Sequence, residues 1–175
     1  RGQSYYDQAE WRGTWEFDGG AFMNQASHYV DLLEWLIGPL ESVNAFGSTA
    51  RNIEVEDTGV ATLRWRNGAL GSLSVSMLAP QTNYRASITV IGDDGLVALG
   101  GKAVNQIDHW QFNDSKDYDE DVADCSYDLD DVYGFGHQAI YENIANALLF
   151  DGKPLISGRE GLRSLELLTA IHISM

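Results

Sequence analysis

The amino-acid sequence predicts an α+β fold, with helices packed on one face of an open, mainly antiparallel β-sheet. A helical pattern lies near the start, a run of strand patterns joined by short turns fills the middle, and two helical patterns close the chain. Strands joined directly by short turns run antiparallel, because parallel strands need long crossover connections. We expect residues 1–175 to form a single domain, since this length can bury its own core.

The first element is a helix from Phe22 to Ile37, preceded by the pair Gly19-Gly20. At about 100° per residue, four polar or aromatic positions fall within one narrow sector of this helix; they are Asn24, His28, Asp31 and Trp35. Its opposite side carries the apolar positions Phe22, Ala26, Tyr29, Leu33 and Leu36. This pattern is typical of a helix that packs on a core and leaves one stripe accessible.

Period-two alternation then predicts a series of strands. They are Glu41 to Thr49, Asp57 to Arg66, Ala69 to Leu78, Arg85 to Ile91, Leu96 to Leu99 and Val104 to Phe112. Asn67-Gly68, between the second and third of these, is a strong hairpin signal. Ser72, Ser74 and Ser76 share one strand face, which is either solvated or covered by a partner subunit.

Two helices are predicted at the end, from Gln138 to Phe150 and from Gly161 to Met175. A capping box formed by Ser157 and Glu160 opens the second. The segment 134–139 fits the dinucleotide-binding pattern G-x-G-x-x-[GA], but an acidic stretch precedes it where that motif requires a buried parallel strand. We therefore interpret these glycines as shaping the loop that enters the helix.

Composition limits the possible functions. The net charge of −15 argues against a nucleic-acid partner, which needs clustered Lys and Arg. No apolar run approaches the roughly 20 residues that span a membrane. Because there is no signal-peptide pattern and only one cysteine, Cys125, we expect a cytoplasmic protein. The chain starts without Met and stops inside a helical pattern, so we expect it to be a piece of something longer, either truncated or proteolysed.

Acidic residues crowd one stretch, relieved only by Lys116; they are Asp114, Asp117, Asp119, Glu120, Asp121, Asp124, Asp128, Asp130 and Asp131. We interpret the stretch as a solvated surface loop. Three of its aspartates have the spacing of an EF-hand calcium loop, but Val122 stands where that loop requires Gly. The other histidines, His109, His137 and His172, show no metal-ligand spacing either. No metal site is predicted.

The stripe on the first helix remains as the candidate site. A neutral imidazole has an ordinary pKa of about 6.5, so His28 is suited to act as a general base near neutral pH. Asn24 could hold a substrate hydroxyl or the imidazole ring, and Asp31 could fix the imidazole tautomer or pair with a neighbour. The glycines would let a ligand approach backbone N–H groups that favour an anion. The simpler interpretation is a solvated helix face with one histidine.

Several segments together resemble a known family, the carboxy-terminal domain of Gfo/Idh/MocA oxidoreductases. They are Trp11 to Trp15, Gly19 to Leu33, Glu54 to Thr58, the Asn67-Gly68 hairpin, Gly134 to His137 and Gly158 to Gly161. Within that family, the run from Asn24 to His28 is most similar to dehydrogenases of UDP-N-acetylglucosaminuronic acid, which oxidise the sugar at C3.

This resemblance implies that the chain is the substrate-binding and catalytic-base half of an NAD(P)-dependent sugar dehydrogenase. His28 would take the hydroxyl proton, while the cofactor and an assisting lysine would belong to an N-terminal Rossmann domain absent from this chain. Many relatives carry Asp at the position of Asn24, so Asn24 is expected to position the substrate rather than relay a proton. The chain alone is expected to be inactive and to bind no cofactor.

A UDP-sugar acid is anionic, as is this chain, but a Debye length of about 8 Å lets a local basic pocket coexist with a distant acidic loop. Arg12 and Arg51 are the candidates for that pocket, with Asn24 and Asp31 as further substrate contacts. The family also implies a homodimer or homotetramer formed through the open sheet face. The alternative function is a non-catalytic oligomerisation or sugar-binding domain.

Overall fold

The computed structural model describes residues 1–79, 83–129 and 135–175. Their contacts divide the chain into a first group, Arg1–Thr82 with Leu155–Met175, and a second group, Asn83–Pro154. In chain order the elements are α1 (Gln3–Tyr6), a π-helical turn (Ala21–Gln25), α2 (Ser27–Ile37), β1 (Leu40–Ser48), β2 (Thr58–Trp65), β3 (Leu70–Ser76), β4 (Ile88–Ile91), β5 (Gly95–Gly100), β6 (Gln106–Phe112), a 3₁₀ helix (Asp121–Cys125), α3 (Gly136–Leu149) and α4 (Gly158–Ser174). The α+β class is confirmed, and the single-domain assignment stays a prediction.

The first group contains a three-stranded antiparallel sheet in the order β1-β2-β3. The predicted Asn67-Gly68 hairpin joins β2 to β3, and Gly68 has the positive φ of +91° that such a turn requires. The register places Ala61 opposite both Ala45 and Leu73. Because side chains alternate along a strand, this register gathers the apolar positions on one face of the sheet.

The core lies between that face and the helices. Its buried members are Phe22, Ala26, Val30, Ala45, Ala61, Leu63, Trp65, Leu167, Leu168 and Ile171. They come from the π-helical turn, α2, β1, β2 and α4, so both long helices of the first group pack on the same side of the sheet. The other face carries Phe46 and Val60, which pair across β1 and β2 and are both exposed.

The prediction of one continuous helix from Phe22 to Ile37 was wrong in its first turns. Ala26 N donates to Ala21 O at 2.9 Å, an i→i+5 bond that closes a π-helical turn, and α2 begins only at Ser27. Four of the five predicted apolar positions nevertheless lie in the core or pack against it; they are Phe22, Ala26, Tyr29 and Leu33. Val30 is fully buried, whereas Leu36, predicted to face the core, is exposed.

A glycine on β2 sets how closely the π-helical turn packs on the sheet. A Cβ at Gly59 would lie 2.2 Å from Cε2 of Phe22, whose side chain is fully buried. Only a residue without a side chain lets the Phe22 ring lie against the strand backbone here. Gly59 therefore fixes the depth at which the helix start, and with it the candidate site, rests on the sheet.

The second group contains a separate antiparallel sheet in the order β4-β5-β6. The strand locations in the sequence are confirmed, but in the described residues the strands form two three-stranded sheets rather than one. Alternation identifies strands and not their partners, which is why the division was missed. No residue of α3 is buried among those described in this group.

The predicted capping box at the start of α4 is present, with the Ser157 side chain and backbone both bonded to Glu160. Two other predicted features reach beyond the described residues: the glycine motif at 134–139 includes Gly134, and the acidic stretch includes Asp130 and Asp131. Among the described residues, no helix is both long and apolar enough to cross a membrane.

Candidate active site

The Gly19-Gly20 turn is shaped around a buried carboxylate from the segment before β2. Gly19 and Gly20 have φ of +75° and +90°, conformations that L side chains rarely adopt. A Cβ at Gly20 would lie 2.2 Å from Oε2 of Glu56, which is only 6% exposed. The two glycines are thus required both by the backbone and by the space that Glu56 occupies.

Glu56 also holds the start of the π-helical turn. Ala21 N donates to the Glu56 backbone oxygen and Phe22 N donates to Glu56 Oε1, both at 2.9 Å. A carboxylate at a helix N-terminus satisfies free N–H groups and interacts favourably with the helix dipole. The expectation that a ligand anion binds these amides was therefore wrong, because the protein's own carboxylate already occupies them.

His28 lies in the first turn of α2, and its side chain is exposed. Among the described residues, none forms a hydrogen bond or ion pair with its imidazole. Asp31, which could have fixed its tautomer, instead accepts a hydrogen bond from the Ser164 hydroxyl of α4. His28 is therefore available to a ligand in this structure, and Asp31 contacts the neighbouring helix.

Asn24 is half-buried in the π-helical turn, one helical turn before His28. Its Nδ2 donates to Oδ1 of Asp18, and its backbone oxygen accepts from the Ser27 hydroxyl at 3.2 Å. Asn24 and His28 thus lie on the accessible side of the same helical segment, as the stripe predicted. π-helical turns of this kind occur often at functional sites.

A second buried contact comes from α4. The ring nitrogens of His172 face the carbonyl oxygens of Leu168, at 2.9 Å, and Gly19, at 3.1 Å. Only the imidazolium form has an N–H on both nitrogens and can donate to both oxygens. Glu56 Oε1 lies 3.6 Å from Nε2; its carboxylate raises the pKa of His172, the carbonyls add to this, and burial opposes it.

The two candidate arginines both have contacts within the fold. Arg12 Nη1 donates to the Tyr5 carbonyl and to Gln8 Oε1, each at 2.8 Å, and its guanidinium lies 4.2 Å from the centre of the Tyr5 ring. Arg51 Nε donates to the Arg1 carbonyl at 3.2 Å. These contacts place the arginines beside the N-terminal segment, and neither forms a hydrogen bond with Asn24 or His28 in the described residues.

Sequence reasoning missed three residues that hold this site, namely Asp18, Glu56 and His172. Asp18 directly precedes the Gly-Gly pair, and Glu56 lies in a Glu-x-Glu-Asp run before an apolar strand. An acidic residue at the start of a buried strand is unusual, and this was the one available signal. Some of their partners, however, lie 34 to 153 positions away along the chain, and alternation or helical spacing detects only neighbours.

In the described part of the acidic stretch, no three His, Cys, Asp or Glu residues lie close enough together to hold a metal ion. Asp119, the central residue of the calcium-like spacing, is already used within the second group. Its carboxylate accepts from Trp110 Nε1 at 2.9 Å and from Lys116 N at 2.7 Å, and these bonds lower its pKa.

A family description, the C-terminal alpha/beta domain of the oxidoreductase family, matches residues 1–175. The chain belongs to the Gfo/Idh/MocA oxidoreductase family, in which it is the C-terminal domain. No curated protein sequence matches the chain.

Solved structures define the relationship further. The chain is 57% identical to the WlbA dehydrogenase from Bordetella pertussis, solved in complex with NADH and UDP-GlcNAcA, with a TM-score of 0.93 over 99% of this chain and 51% of that one. It is 55% identical to WlbA from Chromobacterium violaceum, solved in the same complex, with a TM-score of 0.91 over 99% of this chain and 49% of that one. The chain thus spans about half the length of these two relatives.

A levoglucosan dehydrogenase in complex with NADH and levoglucosan also matches, with a TM-score of 0.70 over 94% of this chain and 50% of that chain. At 19% identity, this likeness shows the fold alone.

Proposed function

We propose that this chain is the substrate-binding and catalytic-base half of an NAD(P)-dependent dehydrogenase that oxidises the C3 hydroxyl of a UDP-N-acetylhexosaminuronic acid. Support comes from 55–57% identity to two WlbA enzymes, whose structures hold NADH and UDP-GlcNAcA. The observation that carries the catalytic role is His28, an exposed imidazole with no partner among the described residues, one turn after a half-buried amide.

In the proposed reaction His28 accepts the proton of the C3 hydroxyl as the carbon is oxidised. A general base must reach within hydrogen-bonding distance of that proton and be neutral at the working pH. His28 is exposed and has no partner among the described residues, so its imidazole is free to approach a substrate hydroxyl. Because Asn24 cannot accept a proton onto its amide near neutral pH, its proposed role is to orient the sugar by hydrogen bonding.

Arg12 and Arg51 are proposed to attract the anionic substrate, and Asp31 to hold α2 against α4 through Ser164. Arginine is suited to phosphate and carboxylate because its donors form a planar fork.

The role of Arg12 is tested with Arg12→Gln, which should raise the dissociation constant for UDP-GlcNAcA measured by calorimetric titration. Glutamine is used because Arg12 also supports the fold. An unchanged dissociation constant would remove Arg12 from the site.

The cofactor is assigned to no residue of this chain. Dinucleotides bind where a parallel strand leads into a helix N-terminus, and both sheets of the described residues are antiparallel. We propose that the rest of the parent enzyme binds NAD or NADP, which accepts the hydride, and that the chain alone is inactive.

The proposed location of the protein is the cytoplasm. A cytoplasmic location would keep the exposed thiol of Cys125 reduced.

The open face of the first sheet is proposed to contact another copy of the protein in a homodimer or homotetramer. Phe46, on the edge strand β1, is 70% exposed on this face and pairs with exposed Val60 on the central strand β2. Phe46→Asp in the full-length protein should lower the mass measured by light scattering, whereas Ile91→Asp, at an exposed apolar position on β4, should not. Equal masses for wild type and Phe46→Asp would contradict this assignment.

The activity is tested with the full-length protein, expressed with the sequence that precedes Arg1. Incubation with NAD and UDP-GlcNAcA should produce NADH and a product two mass units lighter, the loss of two hydrogens expected for alcohol oxidation. UDP-GlcNAc, which lacks the carboxylate, is the matched control substrate. Tight binding of UDP-GlcNAcA, with no reduction of either NAD or NADP, would instead support the non-catalytic sugar-binding alternative.

A further inference from the structure

Asp18 joins the loop before the Gly-Gly turn to the side chain of Asn24. Its Oδ2 accepts from Gly13 N at 2.5 Å, and its Oδ1 accepts from Asn24 Nδ2. A carboxylate can only accept hydrogen bonds, whereas the amide of Asn24 has one end that donates and one that accepts. The contact with Asp18 therefore determines which end of the Asn24 amide faces the loop, namely the NH₂ group.

The other end of the same amide, Oδ1, consequently points away from Asp18. Among the described residues no donor reaches Asn24 Oδ1, and the side chain is half-buried on the accessible side of the helical segment. A carbonyl oxygen in this position accepts a hydrogen bond from a ligand hydroxyl and would repel a second acceptor.

We propose that Asp18 is a positioning residue: it holds the Asn24 amide in one orientation, so that the site presents an acceptor to a hydroxyl of the sugar. This inference rests on the proposed function, because it takes the sugar as the ligand of Asn24. It adds to that function a rule of recognition, in which a substrate hydroxyl donates to Oδ1 of Asn24.

The loop is held firmly enough for Asp18 to impose this orientation. Gly13 donates its N–H to Asp18, while its carbonyl accepts from Glu54 N at 2.9 Å. Gly13 has a φ of +75°, and a Cβ there would lie 2.6 Å from Cγ2 of Ile53. Because the N–H and the carbonyl of Gly13 are both hydrogen-bonded, Gly13 is held in place. One oxygen of Asp18 therefore stays with Gly13, and the other is left for Asn24.

Replacing Asp18 with the isosteric Asn should therefore make Asn24 present a donor to the substrate instead of an acceptor. In Asp18→Asn, the new amide keeps its oxygen on the Gly13 N–H and turns its NH₂ toward Asn24. Asn24 must then accept with Oδ1, so its amide flips and presents NH₂ to the substrate hydroxyl. The substrate hydroxyl must then turn to accept from this NH₂ group, and its own proton loses the acceptor that the wild-type site provides, so we expect kcat/KM for UDP-GlcNAcA to fall roughly 10- to 100-fold.

A compensating substitution should restore recognition. In the double variant Asp18→Asn/Asn24→Asp, the new carboxylate accepts from the new amide with one oxygen and presents the other oxygen to the substrate. The pair has the same total charge as in wild type. We expect the double variant to recover most of the lost kcat/KM, which a merely structural defect at position 18 would not allow.

The experiment compares wild type, Asp18→Asn, the double variant and Glu16→Gln in the full-length protein. Glu16 is an exposed acid in the same loop, so its substitution matches the charge change without touching Asn24. The expected result is a loss in Asp18→Asn alone, with recovery in the double variant and melting temperatures that stay close to wild type. A kcat/KM within twofold of wild type in Asp18→Asn, or no recovery in the double variant, would overturn the inference.

A second readout separates this inference from the proposed function. In the proton–nitrogen NMR spectrum, one NH₂ proton of Asn24 should show the downfield shift of a charge-assisted hydrogen bond, and this shift should disappear in Asp18→Asn. If wild type fails to oxidise UDP-GlcNAcA, the proposed function fails, and this spectrum still tests the orientation of Asn24. An Asn24 resonance that is the same in wild type and Asp18→Asn would refute the positioning role of Asp18.

Discussion

The two groups of residues use their carboxylates differently. In the first group Asp18, Glu56 and Asp57 accept hydrogen bonds from backbone N–H groups, and Glu56 and Asp57 are buried. In the second group Asp119 accepts from one backbone N–H but is only half-buried, Asp108 pairs with Arg85 at the surface, and acidic residues such as Asp114 are exposed. A buried acid that accepts from the backbone fixes the shape of a loop, whereas an exposed acid mainly keeps its surface solvated.

This difference explains why net charge is a poor guide to the site. The chain carries a formal charge of −15, yet the acids beside the candidate site are bonded to backbone amides, to Asn24 or to His172. Through these contacts the acids fix the shape of the loops beside the candidate site. They do not add unpaired negative charge to the surface of those loops. Removing one acid or one contact from each group tests this difference.

The largest effect is expected at Asp57, which is fully buried and accepts from Ala50 N at 3.1 Å and Arg51 N at 2.9 Å. Asp57→Ala should lower the free energy of unfolding by about 2–4 kcal/mol, because two backbone donors lose their charged acceptor. Asp114→Ala, at an exposed position, should change it by less than about 0.5 kcal/mol. Urea denaturation followed by circular dichroism measures both, and equal effects would break the comparison.

The next effect concerns the Gly-Gly turn. Gly20→Ala places a Cβ against the Glu56 carboxylate and forces an L side chain to a φ of +90°, so we expect a loss of about 1–3 kcal/mol in unfolding free energy. Gly161→Ala, in α4 with open space around the new Cβ, should instead stabilise by about 0.5–1 kcal/mol through helix propensity. Thermal unfolding of the two variants tests this, and a Gly20→Ala protein as stable as wild type would refute it.

A smaller effect is expected from pH through His172. Its pKa is raised in the folded state, so its protonation stabilises the fold fully below its ordinary pKa of about 6.5, and this stabilisation is lost as pH rises through the raised value. As pH rises through this range, the free energy of unfolding of His172→Gln should therefore decrease less than that of wild type. The control is His109→Gln, whose partner Gln111 lies on an exposed strand of the second group. Identical pH slopes for wild type and His172→Gln would contradict the assigned contact.

The smallest effect is expected from the surface ion pair of the second group. Arg85 and Asp108 are both substantially exposed, so solvent and salt screen their attraction. Arg85→Ala should therefore cost less than about 1 kcal/mol in unfolding free energy, and less still at high salt. Denaturant titrations at low and high sodium chloride measure this cost. A salt-independent loss as large as that of Asp57→Ala would show that the second group also depends on a strong polar contact.

The sequence predicted the features that depend on neighbouring residues. Alternation located every strand, Asn67-Gly68 predicted the hairpin, and Ser157 with Glu160 predicted the start of α4. The family was also identified from sequence, because the resemblance covers the whole chain and its most specific segments lie in the first third. These features need no knowledge of which distant segments meet.

The rest depended on contacts between distant segments. A constant 100° per residue cannot show that Ala26 closes a π-helical turn. The spacing left Asp31 open between fixing the tautomer of His28 and pairing with a neighbour, and it could not show that this neighbour is Ser164, 133 positions away. Glu56 and His172 were missed for the same reason, whereas Asp18 was missed although its partners Gly13 and Asn24 lie only five and six positions away.

The central claim is that His28, exposed and unpartnered in the described residues, is the catalytic base of the parent enzyme. Its most direct test is NADH formation from UDP-GlcNAcA by full-length His28→Ala, compared with wild type and with His109→Ala at another exposed histidine. We predict that kcat falls by roughly 10²- to 10⁴-fold in His28→Ala alone, the usual contribution of a general base, with an unchanged melting temperature. Wild-type turnover in His28→Ala would contradict the account.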